Sequence, residues 1–196
     1  MRRLSLIIIV SVLATAAAQA HVGIGSVNGF YHGFMHPMSG IDHMLAMVAV
    51  GLFAAHLGGR AFWLVPLSFV AMMIVGGSLG LAGVPLPFVE VGVALSVVVL
   101  GIAVAGGFNL PTAAAMGMVG FFAIFHGHAH GAEMPETASG LEYGAGFVVA
   151  TTALHAIGIG LGLAVGRLSR TFGRRALQTA GAAMALTGVA ILMGYV

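Results

Sequence analysis

The sequence predicts an all-α integral membrane protein: a cleavable signal peptide followed by a bundle of about six transmembrane helices. Three observations predict it. Of 196 residues, 60% are hydrophobic and only 6% charged, and the mean hydropathy is +1.09. A soluble domain carries about 25% charged residues, so this chain cannot cover itself with a polar surface. Its apolar residues fall into runs of roughly 20, the length that crosses a bilayer. Short Gly- and Pro-rich breaks separate most of those runs.

The first run is a signal peptide by its pattern. Arg2 and Arg3 give a positive start, Leu4 to Val12 a short apolar stretch, and Ala18-Gln19-Ala20 a small-residue cleavage site. Cleavage there makes His21 the mature N-terminus. The expected organisation is residues 1–20 as signal peptide and 21–196 as a single transmembrane helical domain.

Six spans follow, at about 40–57, 61–81, 88–106, 111–128, 144–166 and 176–195. The connections at 58–60, 82–87 and 107–110 are short, which predicts antiparallel packing of consecutive helices. The one long polar connection is 128–143. Arg60 lies between spans one and two. Arg167, Arg170, Arg174 and Arg175 lie between spans five and six. The positive-inside rule places both loops in the cytoplasm. The mature N-terminus and the C-terminus then face the periplasm of a bacterial inner membrane. Glycines spaced four apart, Gly158-x3-Gly162-x3-Gly166, and Gly76, Gly77 and Gly80 in span two, predict close helix packing.

Composition also excludes functions. The absence of cysteine rules out disulfides, thiolate metal sites and thiol redox chemistry. The seven basic residues are all arginine and form no basic face, so no nucleic acid is expected as partner. No phosphate-binding loop is present, and no nucleotide is expected. Nine histidines are many beside twelve charged residues. Histidine is the commonest protein metal ligand.

The stretch His36-Pro37-Met38-Ser39-Gly40-Ile41-Asp42-His43 holds the only aspartate, at the head of span one. In an unbroken helix His36 and His43 would stand roughly 10 Å apart along the axis, too far for one ion. Pro37 and Gly40 predict a turn that folds His36 back toward Asp42 and His43. Asp42 alone could be a helix-start acid favoured by the macrodipole, but that leaves the flanking histidines unexplained.

The second cluster is Phe125-His126-Gly127-His128-Ala129-His130-Gly131-Ala132-Glu133. His126, His130 and Glu133 fall at i, i+4 and i+7, one helical face that can chelate an ion. His128 points elsewhere if the helix continues. Glu90, opening span three, is either a capping acid or a further ligand. His155, one turn after Thr151, lies near the membrane midplane and is either a relay or a group satisfied by Thr151. His32 stands near the outer face with the first cluster. His21 offers a chelating amine and imidazole if cleavage occurs. His56 reads as an interfacial residue. Met44 and Met47 are soft groups beside His43. The spans are expected to meet so that span one and span four touch at their outer ends.

At these two motifs the chain resembles the HupE/UreJ family of bacterial nickel permeases. His36-x5-Asp42-His43 matches the family's first signature. Phe125-His126-Gly127-x-Ala129-His130-Gly131-x-Glu133 matches its second, with His128 at a variable position. The resemblance extends over essentially the whole chain. It implies nickel uptake across the inner membrane, serving hydrogenase or urease assembly. Spacing and residue type alone point only to a nitrogen-and-oxygen site for a divalent transition ion such as nickel, cobalt, zinc or copper. The partners expected are that ion as substrate and the lipid bilayer, with a homo-oligomer allowed; no prosthetic group is. Two other readings use the same residues. One is an intramembrane metal-dependent hydrolase with Glu133 or Glu90 as acid–base. The other is a non-transporting metal sensor or assembly subunit.

Overall fold

The computed structural model describes residues 29–136, 138–167 and 170–195. The signal peptide and His21 lie outside the described residues. Seven helices run in order among those described: α1 Gly29–Ser39, α2 Ile41–Leu57, α3 Ala61–Leu81, α4 Val89–Gly106, α5 Thr112–Ala132, α6 Gly140–Gly166 and α7 Arg170–Leu192. Five of them, α3 to α7, are long and apolar enough to cross a membrane. The pair α1 and α2 passes the same test together, but is bent by 83° at the break between them.

Helix α1 was not expected from the sequence, which placed a turn at Pro37–Gly40. Pro37 lies inside α1 and costs it one backbone hydrogen bond without ending it. The break falls at Gly40, whose backbone is extended at φ −96° and ψ 122°. Helix α2 ends at Gly58, held at φ 65°, a conformation that glycine adopts without strain. Helix α5 runs to Ala132, beyond the expected limit near 128, because the His126–His130 segment is packed inside the protein. Helix α7 begins at Arg170, so Arg170, Arg174 and Arg175 belong to its first turns rather than to a loop.

Helix α2 is the centre of the bundle. Ala46, Met47, Ala49, Val50, Phe53 and Ala54 are fully inaccessible. It touches every other described helix. The expected antiparallel packing of consecutive helices holds only in part. The most extensive pairings are α3 with α5, α4 with α7, and α6 with both α2 and α1; α3 with α4, and α5 with α6, make no extended contact.

Glycine decides those pairings. In lipid there is no hydrophobic drive between helices, so close van der Waals contact must hold them. A β-carbon at Gly76 would lie 2.1 Å from the Ile124 carbonyl oxygen, and one at Gly127 would lie 2.0 Å from that of Met73. Gly80 and Gly131 extend the same α3–α5 seam. Gly51 meets Gly158 between α2 and α6, Gly33 and Gly146 bring α1 to α6, and Gly101 meets Gly181 between α4 and α7. Gly166, expected to continue the Gly158 stripe, faces open space instead.

Gly127→Ala is expected to destabilise the protein by about 1–3 kcal/mol, because backbone on both sides would have to move. Gly117→Ala, where nothing lies within 4 Å, should be neutral. Thermal unfolding of the two variants in detergent checks the contrast.

Candidate metal centre

Three helices deliver the residues of both motifs to one end of the bundle. Helix α1 brings His36, α2 brings Asp42 and His43 in its first turn, and α5 brings His126, His130 and, at its C-cap, Glu133. The bend at Gly40 is what turns His36 toward the other two segments. Gly40 serves here by its size: a β-carbon would lie 2.7 Å from Asp42 Oδ1 and 3.1 Å from His43 Nδ1.

The four imidazoles stand in file. His36 is 4.5 Å from His130, His130 is 4.3 Å from His43, and His43 is 4.8 Å from His126, measured between ring centroids. The file is open at the His36 end, where the side chain is 32% exposed; behind it His130 is 2% exposed, the His43 side chain 13%, and His126 is fully buried. Phe147 closes over His130 at 4.0 Å, and Phe69 over His126 at 5.5 Å.

The widest convergence of ligand atoms is at the exposed end. One nitrogen each from His36 and His130 and an oxygen of Glu133 lie within 4.8 Å of one another. His36 Nε2 stands 3.0 Å from Glu133 Oε2. Two ligands at right angles on one ion, with bonds of about 2.1 Å, stand about 3 Å apart, so this pair already has the spacing of neighbouring ligands. The hydrogen bond from His36 holds the Glu133 carboxyl below its ordinary value, against the opposing effect of partial burial. Glu133 is therefore an anion at neutral pH.

Hydrogen bonding assigns the free nitrogens. Asp42 Oδ1 accepts from the His43 backbone N–H at 2.7 Å and from His43 Nδ1–H at 2.8 Å. His43 Nε2 is then left with its lone pair, and it is buried without a hydrogen-bond partner. Ser96 donates its single hydroxyl proton to the Val93 carbonyl at 2.6 Å, so it accepts from His126 Nε2–H at 2.8 Å. His126 Nδ1 is left bare. Both nitrogens of buried His130 are without hydrogen-bond partners.

Other candidates lie elsewhere. His128 donates from Nε2 to the Val84 carbonyl at 2.7 Å, turned away from the file as the helical phase requires. Glu90 is exposed in the first turn of α4, and His32 is exposed on α1 beside Tyr31; neither joins the converging ligand atoms. His56 is exposed at the opposite end of α2. His155 is buried in mid-α6, and Thr151 does not satisfy it, because the Thr151 hydroxyl points to the Met73 sulfur at 3.5 Å. Sequence reasoning missed Ser96, Phe69 and Phe147. Ser96 had a signal: apart from Glu90, it is the one polar side chain in the run Val89–Gly106.

Ser96→Ala leaves His126 Nε2–H buried without an acceptor. The expected cost is about 1–3 kcal/mol in thermal unfolding, whereas Ser78→Ala, at an exposed site, should cost little.

Comparison with known proteins follows the same lines. The family model described as HupE / UreJ protein matches residues 8–191. The chain is similar to Protein HupE of Rhizobium leguminosarum bv. viciae, 48% identical over 178 residues, which cover 90% of this chain and 91% of the relative. No solved structure matches. With a match along nearly the whole length of both chains, this protein is a member of the HupE/UreJ family.

Proposed function

We propose that this protein takes up a divalent transition-metal ion, nickel foremost, across the bacterial inner membrane to supply metalloenzyme assembly. The observation that carries the reading is the file of four imidazoles, three of them with buried bare nitrogens, ending at an ionised carboxylate. Imidazole nitrogen with one carboxylate suits nickel, cobalt, zinc or copper; calcium and magnesium prefer oxygen alone.

In this reading His36, His130 and Glu133 capture the ion, and His43 and His126 receive it. Asp42 acts on His43 rather than on the ion. A carboxylate bonded to Nδ1–H fixes the imidazole tautomer, aims Nε2 and raises its basicity. Orientation follows from charge. Arg60, Arg167 and Arg174 all lie at the end of the bundle opposite the file, which under the positive-inside rule supports a file facing the periplasm. An inside-negative potential then favours inward movement of a divalent cation by roughly 4–5 kcal/mol per 100 mV. A facilitator needs no further energy source.

The test is uptake into liposomes under an imposed potential, with nickel, cobalt, zinc and copper in turn. Concentrative uptake of nickel is expected; failure with all four ions overturns the reading. Asp42→Asn keeps the shape and removes the charge. It is expected to lower uptake about 10–100-fold, as loss of an orienting carboxylate does. Unchanged uptake in Asp42→Asn would make the Asp42–His43 bond merely structural.

A further inference from the structure

Beyond His126 the file does not stop. Phe69 lies against both His126 and His155, the latter 5.1 Å away between centroids and edge-on. His155 is 2% exposed, and neither of its ring nitrogens has a hydrogen-bond partner among the described residues. It is the sixteenth residue of a 27-residue helix, so it sits roughly 20 Å from either end, deep in the span. Two buried polar atoms left unpaired cost about 1–3 kcal/mol each. A plain packing role would be filled better by leucine.

The chemistry around His155 is soft. Thr151, one turn earlier on the same face, directs its hydroxyl to Met73 Sδ at 3.5 Å. Met73 is 1% exposed and lies one turn along α3 from Phe69. A bare imidazole and a thioether thus lie about one helical turn apart in the dry interior, linked through Thr151 and Phe69, with no carboxylate among the described residues there. The backbone is fitted closely at this level as well. The His155 carbonyl oxygen would lie 2.3 Å from a β-carbon at Gly51, so α6 cannot shift to supply another partner.

We propose that His155 and Met73 form a second, inner metal site, to which His126 passes the ion from the outer file around the edge of Phe69. The inference rests on the uptake reading above and adds a mid-membrane station to it. Neutral nitrogen and sulfur donors admit a borderline transition ion and give nothing to magnesium or calcium, whose ligands are oxygens. The outer site, with its carboxylate, captures the ion; the inner site screens it.

The two sites separate in kinetics. In the liposome assay with nickel, Glu133→Gln is expected to raise the half-saturating concentration. His155→Leu is expected to leave that concentration near the wild-type value and lower the maximal rate at least about tenfold. His155→Met, which restores a soft donor, is expected to regain part of the rate. Wild-type rates in His155→Leu overturn the inner site while the uptake reading stands; equal loss in the Leu and Met variants overturns the ligand assignment. No uptake by the wild type strikes the uptake reading itself. Should the variants not fold, X-ray absorption on nickel-loaded wild-type protein decides. The chain has no cysteine, so a sulfur neighbour can only be methionine. A sulfur signal lost in Met73→Leu supports the site, and a shell of nitrogen and oxygen alone overturns it.

Discussion

Backbone-to-backbone contact at glycine is the interaction on which the rest of the molecule depends. Rings on α2 and α5 meet at 4–5 Å because α3 holds α5 through Gly76, Gly80, Gly127 and Gly131, while α6 holds α2 through Gly51 and Gly158. The glycines of the second motif therefore have two duties in one turn of helix. Gly127 and Gly131 seat α5 on α3, and His126 and His130 beside them face the other way, toward α2. A side chain at either glycine would move the ligand face as surely as it would weaken the seam.

The polar residues are arranged so that no buried ring has more than one nitrogen spoken for. Ser96 takes one from His126, Asp42 takes one from His43, and Val84 takes one from His128. His130 and His155 keep both. Bare nitrogens in a dry interior are unfavourable for stability alone, and they recur at successive depths along one line. That recurrence separates this bundle from a packing core that happens to be rich in histidine.

Much of this was legible from residue type and spacing. The i, i+4, i+7 face of His126, His130 and Glu133 exists in the structure because α5 stays helical to Ala132. The proximity of the two motifs followed from reading both at the same end of the bundle. What could not be read was pairing. Short loops at 58–60, 82–87 and 107–110 argued for consecutive neighbours, but loop length limits distance without choosing a partner, and the glycine faces chose non-consecutive ones. Helix α1 was missed because Pro37 and Gly40 both counted as breakers, although only Gly40 breaks. Asp42 read as a ligand; that its Oδ1 accepts from its neighbour's Nδ1–H is something no spacing could reveal.

The drop in exposure from His36 to the three rings behind it has a consequence for hydration. A divalent cation holds its water shell tightly, and stripping it in one step in a dry interior would be prohibitive. Behind His36 the solvent is almost gone, and on the uptake proposal His130, His43 and His126 each offer a bare nitrogen to stand in for a water that the ion gives up. The loss of the shell would then be divided among successive rings just inside the mouth, set by their order in the file rather than by how strongly any one of them binds.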